Sequence, residues 1–352
     1  MSALLVLSTV LGSVGAVCAA PAGDPLEAEA TVSKRSVQLM MASATRAGDR
    51  LVSVGERGTI LLSDDHGVRW RQARVPVSVT LTAVSFATPR RGWAVGHSGV
   101  VLATGDGGET WTKQLDGVMA AAIERTAAAD EGSPRRLAEA DRLVRDGADK
   151  PFLAVHAMDE QTVLVVGAYG LAFRTTDGGR TWSSMIGAFD NPQGRHLYAI
   201  LSARGVLHVA AEQGGMFRST DGGHRFDVIS MPAKGTFFGV AAMSGGDVLI
   251  AFGLRGTVCR SGDGGRSWEP VPMPPVSFTA ETQLGDGSFV LMDELGSSYR
   301  SVDNGKNFQK LPEISPFPPA DVALAADGHL IVVGLRGSAR LSVGAASAED
   351  GK

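Results

Sequence analysis

Six aspartates, Asp65, Asp106, Asp177, Asp221, Asp263 and Asp303, lie about 40–44 residues apart, with one wider gap of about 71. Each sits in the pattern Ser/Thr-x-Asp-x-Gly-x-Thr/Ser-Trp or a near variant, and the clearest copy is Thr175-Thr176-Asp177-Gly178-Gly179-Arg180-Thr181-Trp182. Carboxylates next to glycines could ligate calcium, but none of these phrases supplies the clustered oxygens such a site needs. A carboxylate on a tight turn can instead accept hydrogen bonds from the backbone N–H groups around it. The ring that follows (Trp70, Trp111, Trp182, Phe226, Trp268 or Phe308) would then pack into the fold. The recurring phrase therefore reads as structural rather than catalytic.

Other chemistry is sparse. A tyrosine nucleophile for glycoside hydrolysis would need an acid/base pair and converging arginines beside it. The tyrosines are Tyr169, Tyr198 and Tyr299, and only Tyr198 falls at the start of an inner strand, where arginine is almost absent. The seven histidines show no ligand spacing, and no metal, cofactor or catalytic residue is expected. Cys259 has no intrachain partner once a leader carrying Cys18 is removed, and it reads as a packed residue. A formal charge of −4 leaves no electrostatic footprint for nucleic acid.

The elements that carry the phrase follow from its period. Each aspartate is preceded by an apolar run ending in a glycine turn, such as Leu51-Val52-Ser53-Val54-Gly55-Glu56-Arg57-Gly58. With a further strand before each run, the repeat holds four short strands, one blade of a β-propeller. The expected fold is an all-β, seven-bladed propeller over residues 28–345, with the seventh blade, from Asp321 to Ser342, lacking the phrase. Residues 28–36 are expected to supply that blade's outer strand and close the ring. Residues 117–150 fill the wide gap. Alanine-rich sequence followed by Ser133-Pro134 predicts two helices inserted between blades two and three.

Residues 1–20 resemble a secretory signal, with an apolar stretch from Leu4 to Val17 and small residues after it, though without a basic start. The sequence before Cys18 is a poor lipobox, so export to the periplasm without a lipid anchor is expected, and nothing in the mature chain is long and apolar enough to span a membrane.

The glycine turn and the aspartate turn cap opposite ends of one strand. All glycine turns must therefore ring one face, along with the insertion and residues 186–196. Candidate partner-binding residues at the turn tips are Arg57, His97, Tyr169, Glu212, Gln213, Arg255, Glu294 and Arg336. Arg255 and Arg336 share the same Gly-Leu-Arg-Gly sequence with Leu254 and Leu335. Guanidinium forks suit carboxylate or phosphate, and interfaces favour Arg and Tyr.

The aspartate phrase resembles the Asp-box, or BNR repeat. Combined with Val166-Gly167-Ala168-Tyr169-Gly170, Phe252-Gly253-Leu254-Arg255-Gly256 and Asp146-Gly147-Ala148-Asp149-Lys150-Pro151-Phe152-Leu153, it resembles the Ycf48/Hcf136-like family of photosystem II assembly factors. More particularly, it is similar to exported members from non-photosynthetic proteobacteria, often encoded beside RND-type exporters. The resemblance implies a non-enzymatic helper of a membrane-protein complex, with Arg57, Arg255 and Arg336 standing where family members use an arginine-rich face. Two other readings stay open: a carbohydrate-active propeller (sialidase-like or lectin), and a lipid or small-molecule carrier whose insertion covers the channel.

Overall fold

The computed structural model describes residues 23–342 except Ser244, so the leader, Cys18 and the end of the expected domain at 343–345 lie outside the described residues. Among the described residues seven antiparallel sheets are formed, six of four strands and one of three, each built from consecutive strands. The first blade comprises Met41–Ala47, Arg50–Gly55, Ile60–Ser63 and Arg71–Gln72. The second strand of each blade is mostly apolar because sheets cover both of its faces; Val163–Gly167 and Leu249–Gly253 are buried throughout. The core accordingly lies between neighbouring blades. Trp93, Val95 and Val101 of blade two, for example, pack with Phe152, Val165 and Phe173 of blade three.

Every inner strand carries a register shift at its start, between Met41 and Ser43 in the first blade and between Phe278 and Ala280 in the sixth. Such a bulge re-aims the extra residue. Here it brings Tyr198 and Phe238 into the wall of the central channel.

Ring closure differs from the sequence expectation. Residues 28–36 form no strand of the last blade, which has three strands among the described residues, Pro319–Leu324, Leu330–Gly334 and Gly337–Leu341. They run instead along blade one, where the Ala30 N–H donates to Val75 O at 3.0 Å and the Ser33 N–H to Gln72 Oε1 at 3.1 Å. Ser33 then caps a 3-10 turn, Lys34–Gln38, in place of the expected strand. A part-buried side chain staples the seam. Asp321 Oδ2 accepts from Ser43 Oγ at 2.9 Å and from the Ala44 N–H at 3.0 Å. Met41, Leu51 and Leu61 of blade one pack there with Ala323, Ile331 and Val333 of blade seven.

The insertion forms helix α1 (Gly117–Glu131), capped by Asp116, and helix α2 (Pro134–Asp146), capped by Ser133. It departs from the glycine-turn face, with Gly117 against Ser98 and Gly99. It then runs along the outer edge of blade three rather than over the channel. Buried Glu124 holds Arg136 through two bonds of 2.9 Å and accepts a short bond from Ser184 Oγ on that blade's outer strand. Among the described residues, none of the insertion's helices lines the channel.

Candidate docking face and central channel

The aspartate turns resolve into one repeated hydrogen-bond network. In blade three, Thr175 Oγ1 donates to Asp177 Oδ1 at 2.8 Å and accepts from the Gly179 N–H at 2.9 Å. Asp177 also accepts from the N–H and hydroxyl of Thr181, at 2.9 and 2.6 Å. The Thr181 hydroxyl, then its N–H, then the Thr175 hydroxyl hold the Asp177 carboxyl well below the ordinary carboxylate range. Asp65 is brought down to about 2, chiefly by the Arg69 side chain. Asp303 falls to about 2 as well, through the Asn307 N–H first. Asp106, Asp221 and Asp263 are lowered in the same setting. Trp70 and Trp111 each return an indole N–H to the turn, at Gly67 O and Gly108 O. Every such carboxylate is occupied by its own turn, and among the described residues no group of three or more His, Cys, Asp or Glu could hold a metal.

The opposite rim differs in character. Glycine-turn N–H groups meet the segments that link one blade to the next, Gly58 to Val79 O and Gly256 to Val276 O. These glycines have positive φ, 68° and 76°, and an added Cβ would stand 2.0 Å from Val77 O or 2.4 Å from Pro274 O. In five turns the residue before the second glycine is also left-handed: Arg57, Ser98, Tyr169, Gln213 and Arg255 have φ between 52° and 58°. Side chains other than Gly, Asn or Asp are strained there, which makes two arginines and a tyrosine at these tips informative.

The structure sorts the eight sequence-derived tip residues into two groups. Arg57, His97, Tyr169, Gln213, Arg255 and Arg336 are exposed, and the three guanidiniums have no ion-pair partner among the described residues. The carboxylates are engaged: Glu212 Oε1 accepts from the His196 N–H at 2.9 Å, and Glu294 Oε1 from the Ser277 N–H at 3.0 Å. Glu56 does the same for Met40, so these glutamates brace the start of an inner strand. Arg336 is not equivalent to Arg255 despite the shared sequence. In the last blade Gly334 pairs directly with Gly337, a two-residue loop, and the Val37 carbonyl fills the space beside Gly337.

Tyr169, 62% exposed, begins an aromatic series that sequence reading missed. Its ring lies 4.8 Å from His196, with Lys150 Nζ 5.4 Å from its centroid. His196 lies 6.3 Å from Tyr198, and Tyr198 5.7 Å from Phe238. The series thus runs from the rim into a central channel of about 790 Å³. Tyr198, the one candidate nucleophile, has its hydroxyl pushed up by burial and then by Glu212. Arg46 is the channel's sole arginine among the described residues, and it is turned to Gly48 O and Asp49. Among the described residues, the channel wall holds no converging arginines of a sialidase-like site. Cys259 is buried, its thiol pushed up to about 11 by burial, in keeping with a packing role.

Comparison with known proteins bears on this rim. A family model described as Photosynthesis system II assembly factor YCF48 matches residues 62–127. The Photosystem II assembly protein Ycf48 of Synechococcus sp. (strain JA-2-3B'a(2-13)) is 28% identical over 167 residues, covering 40% of this chain and 49% of that protein. The chain therefore matches about half the length of that relative. A solved structure described as YCF48 bound to D1 peptide superposes with a TM-score of 0.65 at 15% identity, covering 87% of this chain and 96% of that one. A streptogramin B lyase structure superposes equally well, with a TM-score of 0.66 at 13% identity over 89% and 95% of the two chains. Superposition at this identity shows the fold alone.

Proposed function

We propose that this chain, a Ycf48-like Asp-box propeller, is a non-catalytic scaffold that docks on a membrane-protein complex through its glycine-turn face. The carrying observation is the contrast between the two rims. On one, each aspartate is consumed by its own turn; on the other, Arg57, Arg255 and Arg336 stand exposed without acidic partners among the described residues, and Tyr169 is exposed on the same rim. An arginine fork that folding leaves unpaired is available to a carboxylate on a partner. The relative solved with a D1 peptide supports a protein segment as the ligand class.

The apolar leader and the resemblance to exported members support a periplasmic site of action and an RND-type exporter as partner. The test is co-purification from membranes of the source cell with the wild-type chain and with the triple Arg57→Glu, Arg255→Glu, Arg336→Glu variant. Loss of a membrane-protein partner from a variant that still melts cooperatively supports the face. Undiminished recovery defeats it.

A further inference from the structure

Aligning the seven inner strands by their bulges shows one residue out of pattern. At the position three after the strand start, six blades carry Ala44, Val84, Val155, Ile200, Val240 and Val322. Blade six carries Glu281. A carboxylate where the fold otherwise places apolar side chains is a local violation of the kind that marks function.

Its surroundings leave it unpaired. The titratable or charged side chains of the channel wall are Arg46, His156, Tyr198, Glu281 and Asp321. Arg46 is spent on Gly48 O and Asp49, and His156 is pushed towards its neutral form by burial. Asp321 already accepts from Ser43 Oγ, the Ala44 N–H and the Val322 N–H, and it sets a second negative charge against Glu281. The inner strands Leu81–Phe86 and Phe237–Ala242 contribute no ionisable group to the channel. Glu281 therefore has no counter-charge and no hydrogen-bond donor among the described residues.

Above it lies the other half of a site. Tyr198 and Phe238 sit one residue after their strand starts, two residues nearer the glycine-turn face than Glu281, or about 7 Å along the strand. Aromatic rings on the channel wall between the rim and an unpaired carboxylate make a receptor for an organic cation. A bare metal ion fits poorly, since no trio of ligating side chains is present among the described residues.

We propose that the channel binds a primary ammonium or guanidinium group, which enters from the glycine-turn face, packs on the Tyr198–Phe238 pair and forms an ion pair with Glu281. A lysine's flexible four-carbon stem suits that depth. The group can belong to a free amine or to a basic side chain of a docked segment. The site does not depend on the docking reading, because a free amine tests it without any partner.

The experiment is calorimetric titration of the full chain with n-butylammonium and with a blocked pentapeptide bearing one central lysine, at about pH 8.5, where Glu281 is ionised. Butanol and the norleucine peptide are the neutral controls. Saturable binding of at least one cation is expected, weakened by about tenfold or more in Glu281→Gln and in Glu281→Val, which restores the residue type of the other blades. Affinity should fall as pH drops below 8, because the ion pair requires the ionised carboxyl. Saturation by butylammonium identifies a free-amine site, and saturation by the lysine peptide alone identifies a partner's side chain. Absence of saturation by either cation overturns the proposal. So does equal binding of the neutral controls, or unchanged binding in both variants.

Discussion

Replacing Glu281 with glutamine should stabilise the protein at alkaline pH and flatten its stability profile. Burial first, and the neighbouring Asp321 charge second, push the Glu281 carboxyl up to about 8 from an ordinary value of 4.5. Between those values the native state holds a proton that the unfolded chain has released. Stability attributable to this group is therefore present below the unfolded value and is lost as pH rises through the folded one. The slope reaches about 1.4 kcal/mol per pH unit, so between pH 5.5 and 7.5 the loss amounts to roughly 2–3 kcal/mol. Partial access to the channel reduces it to about 1–3 kcal/mol. Buried histidines have the opposite sign: His208, pushed down to about 4 by burial and then by Arg218, gives stability that grows as pH rises towards 6.5. That contribution is common to both proteins and cancels in the difference. The assay is urea unfolding of wild type and Glu281→Gln at half-unit steps of pH. The two curves should converge near pH 5 and separate steadily, with the variant more stable, up to pH 8.5. Parallel curves would refute the unpaired, desolvated setting of Glu281, as would a variant less stable at every pH.

Other perturbations test other parts of the account. Thr175→Val keeps the shape of a buried side chain but strands the Gly179 N–H, and it should cost about 1–3 kcal/mol in urea denaturation. Asp321→Ala should cost about as much by orphaning the Ala44 N–H, with amide exchange rising in Met41–Ala47 and Pro319–Leu324 before the middle blades. Arg57→Gly with Arg255→Gly relieves two left-handed side chains, so thermal stability should rise by about 1–2 kcal/mol while partner capture falls. Lowering pH through the range from 4 to 2 should unfold the chain progressively, because the turn aspartates, held below their ordinary value, must take up protons; a flat circular dichroism signal across that range would contradict the network.

The parts legible in the sequence are those fixed within one blade. Each sheet is built from consecutive strands, so the 40-residue period, the glycine turns and the aspartate turns carried the blade count and the assignment of turns to opposite rims. Contacts between distant segments were not legible. Residues 28–36 read as a strand because the seventh blade lacked one, but Ser33 caps a 3-10 turn and the side chain of Asp321 staples the seam from the other end of the chain. The insertion's path depended on Glu124 reaching Ser184, 60 residues away. Gly-Leu-Arg-Gly looked equivalent in two blades, yet Gly256 lies against Pro274 of its own connecting segment and Gly337 against Val37 from the chain's start, and the turns differ accordingly. Glu281 could have been found by stacking the seven inner strands, where it breaks an apolar column. The aromatic series from Tyr169 to Phe238 joins residues from three separate segments and had no such signal.

Hydroxyl-radical or exchange footprinting of the chain bound to its membrane partner probes the docking face most directly. Protection of the turns Glu56–Gly58, Ala168–Gly170 and Leu254–Gly256, with no change at the aspartate turns around Asp106, Asp177 and Asp263, is the expected pattern. Protection confined to the aspartate turns, or to the helices of the insertion, would place the partner elsewhere and contradict the account.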